Sequence, residues 1–318
     1  MSNHDLMELN ELNQNSKGGT ELLMQRLYDG VVPRELLEQF QIVFSRVREL
    51  DPERKHIFYG HDLPQDPESV RLSDPLFRKK FEKFVWVSNW QMEQYNSVRG
   101  VEYGKSVVIK NSIEPLDTSK RTTSDKIRLI YHTTPHRGLG ILVPVFVELA
   151  KHHDDIQLDV YSSFNIYGWG QRDEEFKSLF DICKEHPAIN YHGAVSNEEV
   201  REALLNADIF AYPSIWKETS CLALIEAMSA GLLCVHPNYA ALTETAMGLT
   251  WMYQWNEDFN THANIFYSVL NQAITVMRNN KEEIQADLRL QKIQVDRVHN
   301  WGAKANEWTA LLDSLKNK

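Results

Sequence analysis

Hydrophobic and polar positions follow two alternating rhythms along this chain. Short runs of β-branched and aromatic residues read as strands: FQIVFS (40–45), HIFYG (56–60), KFVWVS (83–88) and KSVVIKN (105–111). Helical patterns stand before and between them, in GGTELLMQRLYDGV (18–31) and NWQMEQYNSV (89–98). A polar, unpatterned stretch at 116–125, LDTSKRTTSD, predicts a linker.

The second half alternates more regularly. IRLIYHT (127–133), IQLDVYSS (156–163), INYHG (189–193), DIFAYPS (208–214), LLCVHP (232–237) and LTWMY (249–253) predict strands. Helices are expected at 142–152, 173–185, 197–206 and 220–230, with a turn at TETAM (243–247). From 260 onwards the pattern is helical and ends in the amphipathic WGAKANEWTALLDSL (301–315). Strands separated by helices indicate parallel sheets built from βαβ units, an α/β fold. The expected division is 1–120 for one Rossmann-like domain and 121–318 for a second, whose last helix packs back on the first.

The most informative passage is 211–245, AYPSIWKETSCLALIEAMSAGLLCVHPNYAALTET. Glu218 precedes a short helix and Glu226 lies eight positions later inside it. Ser220 is the expected N-cap and Gly231 the stop. The intervening residues are almost all apolar, which predicts a buried helix. A carboxylate there requires partners. Sugar hydroxyls are suitable donors, and a core Arg or Lys pairing with Glu226 is the alternative. Eight helical steps span roughly 12 Å, about the reach from a nucleotide's ribose across its diphosphate to the sugar. Backbone amides near Thr219, Ser220, Cys221 and Leu222, at the helix start, would face the diphosphate.

A cation is placed to join them. Arg137, in YHTTPHRGLG after the strand IRLI, stands beside another helix start and would add fixed positive charge for a diphosphate. Pro144 falls inside that helix, which must therefore start late or kink. Gly18 and Gly19 precede the first helix and would let backbone approach a ligand closely, or form a plain loop capped by Thr20.

Bulk properties narrow the class. At 318 residues and net charge −10, the chain is large enough for two cores and too acidic for a broad nucleic-acid footprint. Cys183, Cys221 and Cys234 have no metal-like spacing and read as small buried hydrophobes in a reducing compartment. The first residues show no basic-then-apolar leader, and no run of about 18 apolar residues exists to cross a bilayer. A cytoplasmic protein is expected, with peripheral membrane contact left open. His152-His153-Asp154-Asp155 reads as a solvated turn, and no Asp-x-Asp pair ends a strand, so no metal or other cofactor is expected.

The passage at 211–245 resembles the glycosyltransferase family 4 signature: Pro213-Ser214, then Glu218 and Glu226 as Glu-x7-Glu, then Ala227-Met228-x-x-Gly231. The resemblance implies a GT-B fold, two Rossmann-like domains whose parallel sheets face across a cleft. It also implies a retaining transfer of a hexose from a nucleotide-diphospho-sugar to a glycan or other hydroxyl acceptor. By the same resemblance Glu218 contacts the donor sugar and Glu226 holds the ribose hydroxyls. Arg137-Gly138-Leu139 matches the family's Lys-Gly-Leu, while Thr133 or Thr134 stands near an earlier basic residue that is missing, for which His136 is a substitute. Gly18-Gly19 corresponds to the family's Gly-Gly-x-Glu, and His61 to a histidine near the reacting sugar, a capping or solvated role being the alternative. Tyr239 and Ala240 replace a Gly-Gly pair that precedes Glu244. The first domain looks reduced. Catalytic work is thus expected of Glu218, Arg137 and His61, and donor binding of Glu226, Gly18, Gly19, Thr133, Thr134, Thr219, Ser220, Cys221 and Leu222. A GT-B nucleotide-sugar epimerase and a non-catalytic nucleotide-sugar-binding protein are the rival readings.

Overall fold

The computed structural model describes residues 19–47, 49–122 and 124–316. Two compact units emerge, one formed by 1–114 with 298–318 and the other by 115–297.

In the first unit, strands β1 (Phe40–Phe44), β2 (Lys55–Gly60), β3 (Phe81–Trp86) and β4 (Ser106–Val108) form a parallel sheet in that order. Side chains alternate across it. Phe40, Ile42, Phe44, Ile57, Tyr59 and Val85 enter one apolar cluster, and Val43, Phe58, Phe84 and Trp86 enter another. Helix α1 (Gly19–Arg26) contributes Met24 to the first cluster, and α2 (Asn89–Arg99) contributes Tyr95 to the second. Both faces are therefore covered, which explains strands that are apolar throughout.

The second unit contains β5 (Ile127–Tyr131), β6 (Ile156–Val160), β7 (Ile189–Tyr191), β8 (Ile209–Ala211), β9 (Leu233–Pro237) and β10 (Trp251–Tyr253). Their spatial order is β10-β9-β8-β5-β6-β7, all parallel. The chain runs outward from β5 through β6 to β7, then returns to the other side of β5 as β8. This reversal is the switch point at which open α/β sheets bind ligands beyond their strand ends. The helices are α3 (Leu139–Leu149), α4 (Lys177–Glu185), α5 (Asn197–Leu205), α6 (Leu222–Ser229), α7 (Leu242–Ala246), α8 (Phe259–Asn279) and α9 (Lys281–Val298). The last helix, α10 (Trp301–Asp313), belongs to the first unit, where Trp308 and Leu312 join its apolar cluster.

The α/β class with two parallel sheets agrees with the sequence pattern, while several local expectations change. α3 starts at Leu139, well before Pro144. Its seven buried apolar residues, each stabilising by roughly 1.5–3 kcal/mol, outweigh the ~3 kcal/mol proline penalty. The helix expected from 173 begins at Lys177. Asp173 is instead committed to the loop after β6, accepting from Ser163 Oγ at 2.5 Å and from the Phe164 amide at 2.8 Å. The stretch expected as a linker is fastened to the second unit. The Leu116 amide donates to Ser229 Oγ at 3.0 Å, and Arg121 donates to the carbonyls of Ala207, Ala230 and Gly231. Nor does Ser220 cap α6, whose N-cap is Cys221 without a side-chain bond.

Candidate functional site

Two loops leave the sheet at the switch point, one after β5 and one after β8. Gly138 lets them meet. Its φ is +144°, and a β-carbon there would lie 2.3 Å from the Pro213 carbonyl oxygen, so only glycine fits. The Ile215 amide then donates to the Arg137 carbonyl at 3.0 Å. Within the β8 loop, the Ser214 amide donates to the Tyr212 carbonyl at 2.8 Å and the Glu218 amide to the Trp216 carbonyl at 3.0 Å. The Ala241 amide holds the Glu218 carbonyl at 3.1 Å. The loop that carries Glu218 is thus tied at several points.

These ties bring Arg137 and Glu218 together. Arg137 Nη1 donates to Glu218 Oε1 at 2.6 Å, and the Tyr212 hydroxyl donates to the same oxygen at 2.5 Å. Arg137 Nε also donates to Thr134 Oγ1 at 3.2 Å. The Glu218 side chain is 5% exposed, whereas that of Arg137 is 23% exposed and so reaches solvent. Burial works against the charge on Arg137, but Glu218 outweighs it and holds the guanidinium well above its ordinary value. The outcome is a fixed cation whose carboxylate partner is largely withdrawn from water.

Thr219, Ser220 and Leu222 are half-buried at the start of α6, and Cys221 is buried. Among the described residues no side-chain cap bond closes the start of this helix. Thr134 is buried and its carbonyl accepts from the Tyr131 hydroxyl at 2.9 Å. Thr133 Oγ1, His132 Nε2, His136 Nδ1 and Ser162 Oγ are buried without a hydrogen-bond partner among the described residues. All four belong to residues at or just beyond the C-terminal ends of β5 and β6. Buried polar atoms normally have partners, so these four stand out at the strand ends.

Aromatic rings border the same loops. The His136 ring stacks on Phe164 at 5.1 Å and meets Trp216 edge-on at 4.8 Å. Burial first, and then Arg137 and Arg172, pull His136 down to about 4, which keeps it neutral. Arg172 covers Phe164 at 4.1 Å, and Trp216 remains 40% exposed beside Arg137.

Glu226 lies on α6 and accepts from Arg201 of α5 at 3.2 Å. This is the arginine pairing named as one of its two anticipated partners. Its side chain is 23% exposed, so part of the carboxylate stays accessible. Burial raises its carboxyl above the usual range, and Arg201 pulls the other way.

His61 belongs to the first unit, just after β2. Its amide donates to Ser45 Oγ at 2.8 Å, and its ring packs on Tyr59 at 4.2 Å and Phe44 at 5.8 Å. Burial pulls its ring down to about 3. Its ring is thus packed against aromatic neighbours. Gly19 opens α1 in the same unit, while Gly18 lies outside the described residues.

Of the remaining motifs, His153 and Asp155 are held by Asn271 and Arg278. Tyr239, at one replaced glycine position, stacks on Trp255 at 4.2 Å, and Ala240, at the other, adopts φ +51°. Sequence reasoning missed Tyr212, Trp216 and Arg201. The dipeptide before Ser214 reads simply as strand end, and nothing in the spacing of Arg201 connects it with α6.

Comparison with known proteins accords with this geometry. Residues 117–246 match the family model described as Glycosyl transferases group 1. Over nearly all of its length the chain resembles a solved glycosyltransferase from Rickettsia africae, with TM-score 0.71, 18% identity, and 97% of this chain and 85% of that one covered. It also resembles Anabaena HepE in complex with UDP and glucose, with TM-score 0.63, 14% identity, and 82% and 72% covered. The fold is GT-B. Among curated proteins, similarity extends to the GPI3 subunit of phosphatidylinositol N-acetylglucosaminyltransferase from Saccharomyces cerevisiae, 24% identical over 52% of this chain and 35% of that protein. The phosphatidyl-myo-inositol mannosyltransferase of Mycobacterium leprae is 28% identical over 45% and 36%. The matched regions span about a third of these relatives' length. No described helix is long and apolar enough to cross a membrane.

Proposed function

We propose that this chain is a retaining glycosyltransferase that moves a hexose from a nucleotide-diphospho-sugar to a hydroxyl acceptor. The observation that carries this reading is the convergence of Arg137, Glu218 and the uncapped start of α6 at the switch point. All three lie within the segment that matches the glycosyltransferase model. The names of the similar proteins, which specify UDP and glucose, N-acetylglucosamine transfer and mannose transfer, support the same substrate class.

Breaking the anomeric bond puts negative charge on the departing diphosphate and positive charge on the sugar ring. Arg137 and the amides of Ser220, Cys221 and Leu222 meet the former, and each such preorganised donor is worth roughly 2.7–4 kcal/mol. Glu218 accepts from sugar hydroxyls and favours the cationic ring. Glu226 accepts from the ribose hydroxyls while remaining bound to Arg201.

The test is a thermal-shift screen with UDP, GDP and ADP and their glucose, N-acetylglucosamine and mannose conjugates. A ligand selective for the native state raises its melting temperature. At least one conjugate should do so, and adding a hydroxyl acceptor should then release nucleoside diphosphate. A screen in which none of these compounds shifts the melting temperature would overturn the reading.

A further inference from the structure

Tyr212 is absent from every expectation for this site, yet among the described residues it makes one of the two bonds to the Glu218 carboxylate. Its ring is fully buried, against Phe210 at 5.3 Å and Tyr131 at 6.0 Å, and its hydroxyl is aimed at the carboxylate. A carboxylate has about four acceptor positions on two oxygens. Arg137 and Tyr212 both use Oε1, one from the loop after β5 and the other from the end of β8. Two donors from different elements on one oxygen leave the carboxylate plane little freedom to turn. Oε2 accepts from no described side chain.

We infer that Tyr212 is a positioning residue for Glu218: together with Arg137 it pins Oε1, so that Oε2 is presented, in one orientation, to a sugar hydroxyl. This rests on the sugar-transfer reading. No proton moves in this role. Burial, and after it the charge of Glu218, hold the phenol well above its ordinary value, so it remains a donor throughout. Charge-assisted hydrogen bonds of this kind are stronger than neutral ones, and preorganisation matters most where an acceptor must meet one particular hydroxyl.

The test is a double-mutant cycle on the full chain: wild type, Y212F, E218Q and the double variant. Calorimetry measures Kd for UDP and UDP-N-acetylglucosamine, and for GDP and GDP-mannose. Phenylalanine keeps the ring packing and removes only the hydroxyl. Y212F should weaken binding of the sugar conjugate roughly 10- to 100-fold, with the bare diphosphate changed less than about twofold. In the E218Q background the same substitution should add less than about twofold, because Tyr212 acts through Glu218. A full-size effect persisting in E218Q, equal losses for diphosphate and conjugate, or Y212F matching wild type would each overturn the assignment. If wild type binds none of the four probes, the sugar-transfer reading falls first. If wild type binds and Y212F matches it, only the role of Tyr212 falls.

Discussion

Arg137 Nη1 lies 2.6 Å from Glu218 Oε1, so the cation and the carboxylate expected to serve different parts of one ligand are bound to each other. Their environments differ. The arginine side chain is 23% exposed and the glutamate 5%. Removing the arginine strands a charge that water barely reaches, whereas neutralising the glutamate leaves a cation that can still be hydrated.

The pair should therefore respond asymmetrically. Arg137→Ala is expected to destabilise the protein by on the order of 3 kcal/mol, the scale of a buried pair deprived of one partner. Glu218→Gln should lose less than half of that, since the neutral amide strands no charge and the remaining cation reaches solvent. Urea unfolding of both variants checks the order, and equal losses would contradict the burial argument.

Glu226 yields a second prediction. It accepts from Arg201, and its side chain remains 23% exposed. Glu226→Ala should weaken ribonucleotide-sugar binding about tenfold. The same variant should not discriminate between a ribonucleotide sugar and its 2′-deoxy analogue, whereas wild type should. Arg201→Ala should leave that discrimination in place. Calorimetry with both analogues decides it, and a variant that still prefers the ribose would exclude Glu226 from that contact.

Gly138 offers a third. Its φ of +144° strains any other residue, and an added methyl group would meet the Pro213 carbonyl at 2.3 Å. Gly138→Ala should cost about 2–4 kcal/mol from backbone strain and overpacking together. It should also separate the loops holding Arg137 and Glu218, so that nucleotide-sugar binding is lost together with stability. A variant as stable as wild type by thermal unfolding would show that the loops do not depend on this contact.

Much of this arrangement was legible in the chain itself, and for identifiable reasons. Strands that are apolar on both sides, such as FVWV and LLCV, signalled sheets covered on both faces. Glu218 and Arg137 were legible because a charged residue between buried segments and beside a helix start has few other uses. Their mutual bond was not, because it joins positions 81 residues apart and depends on strand order, which hydropathy does not encode. Ser220 failed as a cap for a local reason: the chain enters the helix one residue later, at Cys221. The replaced glycine at Ala240 carries its own trace, since the backbone keeps the left-handed conformation that glycine adopts without strain.

Acid should destabilise the fold well before its carboxylates titrate. Burial pulls His61 down to about 3, and His132, His136, His236 and His262 each to about 4. Unfolded histidine titrates near 6.5. Between about pH 6.5 and 4 the unfolded chain therefore binds protons that the native state refuses, and stability must fall as pH falls. Each group contributes up to about 1.4 kcal/mol per pH unit within that window. Asp62 and Glu226 work in the opposite direction, because burial raises both, and a native group that holds its proton more tightly is favoured by acid. Five groups oppose two, so the net slope is positive. Urea midpoints measured at pH 7.5, 6.5, 5.5 and 4.5 should fall slightly between the first two and then decline more steeply. A midpoint that stays flat to pH 4.5 would mean that these imidazoles are protonated in the native state, and with that His61 and His136 would lose the neutral character argued for them here.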